Sequence, residues 1–319
     1  MDREVFCRQS RILVVAGKGG VGKTTVAAAL SRMAADCGMN VLVVALDDGG
    51  ALPGLFGVAD SFSYEEQAVY ESAAGGSVAA RVITPDDALL EYLMDHGLKR
   101  VAKRLVSTGV LDVVATAIPG IREILVLGKV KQIERAGEAD LVILDAPATG
   151  HAVRFLTSAS GLLDAARGGP LRSQAADVVE MLHDPERCQV LLVTLPEETP
   201  VNELIETAYR FEDEVGVLLG PVVVNACFEL IPGLGADVDV VVQAASESLD
   251  AGERGALRSA AQFRLGRERL QSEQIRRLET ELPLPELRLP YVFHAEIGPA
   301  QIGPLAEALG QAIDKIGAV

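Results

Sequence analysis

The apolar residues of the chain fall into short continuous runs that are separated by longer segments with helical spacing. Six of these runs are rich in β-branched residues and predict buried strands at residues 11–16, 40–46, 80–84, 141–145, 189–195 and 221–225. Continuous runs, rather than alternating ones, are typical of parallel strands covered on both faces. Because helical segments lie between the strands, we expect an α/β fold with a doubly wound, mostly parallel sheet.

Two gaps between the predicted strands are longer than a simple crossover helix requires. Residues 85–139 and residues 151–187 both carry apolar positions at helical spacing. We expect two helical insertions on one side of the sheet, within a single domain that spans residues 1–319. A separate small domain is the alternative, although no Pro/Ser-rich linker marks its boundary.

Charge and cysteine content narrow the functional classes. The 319 residues include 29 Lys plus Arg and 45 Asp plus Glu, a net charge of −16, which argues against nucleic acid as the main partner. The four cysteines are far apart and form no C-x-x-C pair, which argues against a disulfide framework or a zinc ribbon. The N-terminus has no signal-peptide pattern and no apolar run reaches ~18 residues. We therefore expect a cytoplasmic protein, with peripheral contact at a membrane as an open alternative.

The strongest motif follows the first predicted strand and opens a helix. It reads G-x-x-x-x-G-K-[ST] and consists of Gly17, Lys18, Gly19, Gly20, Val21, Gly22, Lys23, Thr24 and Thr25. In this context the glycines let backbone N–H groups converge on phosphate oxygens. Lys23 is placed to reach the β- and γ-phosphates, and the hydroxyl of Thr24 is placed to bind Mg²⁺. The motif predicts a phosphate-binding loop for a nucleoside triphosphate with magnesium.

A second lysine in this loop, Lys18, gives the segment the sequence GKGGVGKTT. It resembles the deviant P-loop of ATPases that include the Min and Par partition proteins, the nitrogenase iron protein and the arsenite-pump ATPases. The resemblance implies a dimer that sandwiches ATP, in which Lys18 reaches the partner's nucleotide and acts like an arginine finger. A solvated loop cation is the alternative for Lys18.

Two acidic residues end predicted strands beside the loop. Asp145 occupies the Walker B position, where a carboxylate holds Mg²⁺ through water. Asp47 follows the second strand and is our candidate for orienting the attacking water, with a simple strand exit as the alternative. Leu52 and Phe56 after it match the arsenite-pump and tail-anchored-protein-targeting ATPases, but the Pro-Ala-His that follows the Asp in that family is missing.

The segment after Asp145 carries the most specific resemblance. It reads Asp-Ala-Pro-Ala-Thr-Gly-His and is similar to the Asp-Thr-Ala-Pro-Thr-Gly-His of the arsenite-pump and tail-anchored-protein-targeting family. In that family the segment is switch II, which links the nucleotide state to the helical region. The resemblance implies the same role here for Ala146, Pro147, Thr149, Gly150 and His151.

Later segments extend the resemblance over most of the chain. Leu195-Pro196-Glu197, followed by Glu203, is similar to the family's Pro-Glu segment. Asn225 ends a strand that looks like the family strand whose terminal Asn reads adenine. Pro290 and Phe293 lie in a segment that resembles the family's late loop, which closes over the base. The helical regions look most like those of the paired ATPases of actinobacteria.

The chain also departs from its relatives in ways that bear on function. No cysteine lies between Cys37 and Cys188, which disfavours a pump subunit that binds arsenite through thiolates. Cys227 has no second cysteine after it, so we expect no zinc clamp in the dimer. Residues 101–133 are apolar on nearly every side, which leaves open a groove for a hydrophobic helix or lipid, or packing on the protein itself or on a paralogue.

The resemblance as a whole predicts a Mg²⁺-dependent, ATP-hydrolysing switch that works as a homodimer or as a heterodimer with a paralogue. We expect it to carry or target a hydrophobic client such as a tail-anchored membrane protein. The alternative is a regulatory or scaffold ATPase that acts with a paralogous subunit. An arsenite-pump subunit is the least favoured reading.

Overall fold

The fold is built on one sheet. The computed structural model describes residues 1–46, 49–95, 97, 100, 120–244 and 249–316. Nine strands lie in this part of the chain: β1 (Ile12–Gly17), β2 (Asn40–Leu46), β3 (Gln67–Glu71), β4 (Ser77–Ile83), β5 (Leu141–Ala148), β6 (Cys188–Thr194), β7 (Leu218–Leu219), β8 (Val222–Cys227) and β9 (Glu286–Pro290). Their order is β3-β4-β2-β5-β1-β6-β8-β9, with β7 beside β6.

All strand pairs are parallel except β3 with β4, so the predicted fold class is confirmed. Each of the six predicted strands is present, with its ends shifted by up to three residues. The sequence pattern missed β3, β7 and β9. Strand β3 pairs antiparallel at one edge and is largely exposed, β7 has two residues, and β9 alternates buried and exposed positions at the opposite edge.

Helices cover both faces of the sheet. They are α1 (Arg3–Cys7), α2 (Lys23–Asp36), α3 (Leu52–Leu55), α4 (Pro85–Asp95), α5 (Ile121–Ala136), α6 (Thr149–Ala165), α7 (Pro170–His183), α8 (Glu198–Arg210), α9 (Val238–Ala244), α10 (Ala251–Glu281) and α11 (Pro299–Ile316), with a π-helical turn at Phe211–Val215. None of the helices in the described ranges is long and apolar enough to cross a membrane.

Side chains that alternate along the central strands separate two cores. Leu13 and Val15 of β1 face the helices α1, α2 and α11, whereas Ile12 and Val14 face α5 to α8 and the end of α10. This alternation follows from the pleat, since successive side chains of a strand point to opposite faces. Helices on both faces explain why the strand sequences are continuously apolar.

The described parts of the two predicted insertions pack on the same face of the sheet. In α5, Ile124, Leu127 and Val130 are fully buried in the core that also holds Ile12 and Val14. The apolar residues from 121 to 133 are therefore mainly core. The remaining part of this apolar stretch, residues 101–119, lies outside the described residues.

The predicted phosphate-binding loop leaves β1 at the carboxyl edge of the sheet. In the parallel register Val15 pairs with Asp145, and Gly17 pairs with both Ala148 and Val193. The loops that leave β1, β5 and β6 therefore begin side by side. In open parallel sheets this edge is where ligands bind.

Candidate nucleotide-binding site

The loop between β1 and α2 is held against neighbouring strands at places where a larger residue would not fit. A Cβ atom added to Gly17 would lie 2.3 Å from the carbonyl oxygen of Val193. Gly20 and Gly22 have backbone φ angles of +86° and +89°, which residues with a Cβ atom rarely adopt. A Cβ on Gly22 would also lie 2.3 Å from Nδ2 of Asn225. These positions require glycine.

Helix α2 begins at Lys23, directly after this loop. Its free N–H groups and positive dipole end favour a bound anion. The Nζ atom of Lys23 donates a hydrogen bond of 3.1 Å to the carbonyl oxygen of Lys18, so the ammonium lies over the loop. Partial burial lowers the pKa of Lys23, opposed by the nearby Asp145 carboxylate. A phosphate bound here would favour the charged ammonium.

Asp145 and Thr24, the two residues predicted to bind a cation, contact each other. The hydroxyl of Thr24 donates a hydrogen bond of 2.7 Å to Oδ2 of Asp145. The other carboxylate oxygen, Oδ1, is buried and has no hydrogen-bond partner in the described part of the chain. Burial raises the pKa of this carboxyl, against the lowering effects of the Thr24 hydrogen bond and the Lys23 charge.

An oxygen atom buried in this way suits a hydrated divalent cation. Mg²⁺ binds through oxygen, keeps several water molecules and takes one or two carboxylates together with phosphate oxygens. The described residues hold no group of three or more His, Cys, Asp or Glu side chains that could bind a metal by themselves. The Thr24–Asp145 pair therefore fits Mg²⁺ that is shared with a nucleotide.

Lys18 has a partner within its own chain. Its Nζ atom lies 2.5 Å from Oε1 of Glu203 on α8. The two side chains are 33% and 39% exposed, so the ion pair lies at the surface beside the loop. The structure therefore shows Lys18 in a cis contact that the sequence analysis did not foresee.

The residues predicted to form switch II connect β5 to α6. Ala146 and Pro147 belong to β5, while Thr149 begins α6 and is followed by Gly150 and His151 in its first turn. His151 is exposed and, with Pro147 and Phe155, lines a cavity of about 380 Å³.

The loop and switch II also come close to each other. A Cβ atom placed on Gly19 would lie 3.9 Å from the Cβ of Ala148, so the P-loop backbone approaches the end of β5. Asp47, the candidate for orienting water, lies outside the described residues. Leu52, which follows it, is buried in α3.

A cavity of about 610 Å³ continues from the P-loop. Gly20, Gly22 and Thr25 line it at the loop, and Asn225 and Pro290 line it further along. Two of the three predicted base-binding residues, Asn225 and Pro290, therefore share one cavity with the loop glycines. A nucleotide whose phosphates lie in the loop has room for its ribose and base here.

Aromatic side chains form one wall of this cavity. The rings of Phe228 and Tyr291 stack with their centroids 4.7 Å apart and their planes at 19°. The Arg264 guanidinium covers the Phe228 ring at 4.4 Å. Phe293, the predicted base-loop aromatic, is 76% exposed and does not line the cavity; its ring packs on Tyr291 at 4.7 Å.

The residue after Asn225 has an unusual backbone. Ala226 has a φ angle of +55°, and it is the one residue other than glycine with positive φ in the described ranges. Strained backbone of this kind is concentrated at functional sites. Ala226 lies within β8, where the pairing of this strand with β9 is irregular between Val224 and Cys227.

The sequence analysis missed the contribution of α10 to this cavity. Arg267, Leu270, Gln271 and Gln274 of this helix line it. They lie more than 40 residues after Asn225 and match no short motif. The helical spacing of 267, 270, 271 and 274 places them on one face of α10, but sequence alone does not say what that face contacts.

Comparison with known proteins agrees with this geometry. Residues 10–165 match the sequence model of the anion-transporting ATPase family. The chain is 34% identical to ATPase BagA of Mycobacterium tuberculosis over 222 residues, which is 67% of this chain and 64% of that protein. It is 30% identical to the arsenical pump-driving ATPase of Escherichia coli over 196 residues, 60% of this chain and 30% of that protein.

The chain thus spans less than two thirds of the length of these curated relatives. The part that matches the family model includes β1, the P-loop, Asp145 and the switch II segment, which are the elements that the structure brings together. The resemblance stated from those segments is confirmed. The chain belongs to the anion-transporting ATPase family, the P-loop ATPases that include the arsenical pump-driving enzymes.

Proposed function

We propose that the chain is a Mg²⁺-dependent ATPase whose nucleotide state is read by the helical layer on one face of its sheet. The observation that carries this proposal is the Thr24–Asp145 pair beside the P-loop, with its buried and unpartnered carboxylate oxygen. The match of residues 10–165 to the anion-transporting ATPase family supports the same activity. The glycine-rich loop before α2, which suits phosphate binding, supports it as well.

The loop and helix α2 bind and orient the phosphates. Backbone N–H groups between Gly19 and Thr24 surround the phosphate oxygens, and Lys23 adds a positive charge where the γ-phosphoryl carries negative charge. Thr24 and Asp145, through water, hold Mg²⁺. When bound, Mg²⁺ neutralises the charge that develops on the phosphate oxygens during transfer.

Asp47 orients the attacking water in this proposal. The support is its place in the sequence directly after β2, which pairs with β5, the strand that carries Asp145. Leu52 and Phe56, which match the family pattern, support it as well. A carboxylate there accepts a hydrogen bond from water and aims its oxygen at the γ-phosphorus.

Lys18 acts in a dimer, on the nucleotide of the partner. For that role its ion pair with Glu203 has to break. Both side chains are about one-third exposed, so the pair contributes about 0–1 kcal/mol to the stability of the fold, and breaking it destabilises the chain little. A phosphate carries more negative charge than one carboxylate and offers Lys18 a stronger partner.

Switch II carries the signal to the helices. The approach of Gly19 to Ala148 supports a direct link between the loop and the start of α6. Helix α6 packs against α5 and α7, so a shift at its N-terminus moves the helical layer.

In the finer version of the proposal, this layer carries a hydrophobic client. The apolar composition of residues 101–119 supports it, and the burial of α5 in the core favours the alternative, a regulatory or scaffold ATPase with a paralogous partner. Absence of soft thiolate ligands between Cys37 and Cys188 disfavours arsenite as the substrate.

Co-expression with a C-terminal hydrophobic helix separates the two versions. A client carrier is expected to keep that helix soluble in a stoichiometric complex when a non-hydrolysable ATP analogue is present, because a closed dimer brings two helical layers together. A helix with three charged substitutions is the control. Failure to retain the apolar helix, with a paralogous subunit retained instead, would contradict the client role and favour the scaffold.

Replacement of Asp145 by Asn tests the cation site. The folded pKa of Asp145 is raised, so the ionised carboxylate costs stability at pH 7 and this cost disappears as the pH falls below that raised pKa. We expect Asp145→Asn to unfold at the same or a higher temperature without nucleotide, yet to lose roughly 10²–10³-fold in Mg²⁺-dependent turnover.

Thermal unfolding at pH 7 and phosphate release are the two measurements. Asp164→Asn, an exposed change on α6, is the matched control and is expected to alter neither. Wild-type turnover by the Asp145 variant would contradict the assignment of this carboxylate to Mg²⁺.

Replacement of Lys18 by Ala tests its action in trans. Because Lys18 contacts Glu203 in its own chain, we expect the variant to bind MgADP with unchanged affinity, but to hydrolyse ATP about 10³-fold more slowly. Glu203→Gln frees the lysine and is expected to keep or raise turnover. Lys315→Ala, an exposed lysine on α11, serves as the control, and unchanged turnover in the Lys18 variant would show that it has no catalytic part.

A further inference from the structure

Val21 lies in the middle of the P-loop and is fixed to the protein at two points. Its side chain is fully buried in the core that also holds Leu13 and Val15 of β1. Its carbonyl oxygen accepts a hydrogen bond of 2.9 Å from Nδ2 of Asn225 in β8. Because a carbonyl oxygen can only accept, the amide has to present its NH₂ group here. This bond ties the loop to a strand that lies 204 residues further along the chain.

The backbone on both sides of Val21 is formed by glycine. Gly20 and Gly22 both have positive φ angles, and glycine has access to many other conformations as well. The loop sequence alone therefore leaves the orientation of the Val21 peptide open. Asn225 packs closely at this point, since a Cβ atom added to Gly22 would lie 2.3 Å from its Nδ2 atom. The Asn225 amide thus supplies the contact that holds this peptide in one orientation.

The direction of the Val21 carbonyl also fixes the direction of the next N–H group. In a trans peptide the C=O and the N–H that share one plane point to opposite sides. The described residues contain no cis peptide bond. With its oxygen held by Asn225, the peptide between Val21 and Gly22 therefore aims the Gly22 N–H away from the amide. A flip of this peptide would exchange a donor for an acceptor on the other side of the loop.

The N–H groups of the loop have no acceptor of their own. From Gly19 to Thr25, no backbone N–H donates a hydrogen bond to another group in the described ranges. The first paired N–H is that of Val26, which donates to the carbonyl oxygen of Gly22 at 2.9 Å. Free N–H groups that converge before and at the start of a helix bind phosphate. Their common direction is the property that the loop has to maintain.

We propose that Asn225 is a positioning residue for the phosphates, because its amide holds the Val21 peptide so that the Gly22 N–H faces the phosphate oxygens. This inference rests on the proposed function, since it concerns phosphate binding by the same loop. It departs from the role that the resemblance implies, in which an Asn at this strand end reads adenine. A base-reading residue acts only on ligands that carry a base, whereas a residue that positions the loop acts on the phosphates by themselves.

Tripolyphosphate carries the phosphates of ATP without ribose or base, so it separates these two roles. Calorimetric titration with Mg²⁺ measures its affinity and that of a non-hydrolysable ATP analogue, for wild type and for Asn225→Leu. Leucine is similar in size to asparagine but has no donor. We expect the substitution to weaken both ligands by the same factor, about 3- to 10-fold, which corresponds to the loss of one neutral hydrogen bond.

The chain offers a matched control at Asn40. This residue is exposed at the start of β2, at the amino edge of the sheet, and its Oδ1 accepts a hydrogen bond of 2.9 Å from the hydroxyl of Ser77. Asn40→Leu removes an amide that has a single side-chain partner, at the edge opposite the P-loop, and is expected to leave both affinities unchanged. Thermal unfolding without ligand checks that each variant is folded during titration. Asn225→Ala is the second variant if leucine prevents folding.

The outcomes distinguish the two roles of Asn225. Unchanged tripolyphosphate affinity in the folded Asn225 variant would overturn the inference, and a loss confined to the ATP analogue would identify a base-reading residue instead. An equal loss in the Asn40 variant would overturn it too, because the effect would then not depend on the loop. So would wild type that binds the ATP analogue but not tripolyphosphate. Wild-type protein that binds neither ligand would contradict the proposed function itself.

Discussion

The candidate site depends on the parallel register of β1 between β5 and β6. Because Val15 pairs with Asp145 and Gly17 pairs with Val193, three strands end at the same height and their loops share one small volume. A Cβ at Gly17 would lie only 2.3 Å from the Val193 carbonyl oxygen, so the phosphate loop leaves β1 at the closest approach that a glycine allows. A one-residue slip of this register would carry Asp145 away from Thr24.

This arrangement concentrates charged groups where water is partly excluded. Burial lowers the pKa of Lys23 and raises the pKa of Asp145, so each charged form is less favourable there than in water. Buried groups of this kind bind their complementary ligands strongly because the penalty of dehydration has already been met in the folded chain. The Lys18–Glu203 pair differs, since it is exposed, weak and easily exchanged.

Much of this site could be predicted from sequence because its parts are local. The P-loop glycines, Lys23 and Thr24 lie within one short motif, and the acidic end of β5 follows an apolar run that is easy to recognise. The edge strands β3 and β9 could not be predicted, since exposure on one side breaks the continuous apolar pattern that marks the central strands.

The wall that α10 contributes could not be predicted either. Gln271 and Gln274 reach the cavity only because a 31-residue helix returns across the carboxyl edge of the sheet, and helical periodicity does not name the partner of a helix face. The same holds for Glu203, which matched a family segment in sequence while its contact with Lys18 emerged from the packing of α8.

In the proposed dimer, the nucleotide bound in the P-loop determines how this chain assembles. Light scattering measures the mass of the purified chain directly, first with MgADP and then with Mg²⁺ and a non-hydrolysable ATP analogue. The account predicts the mass of one chain with MgADP and of two chains with the ATP analogue, because the γ-phosphate recruits Lys18 of a second chain. The same mass in both nucleotides would contradict it.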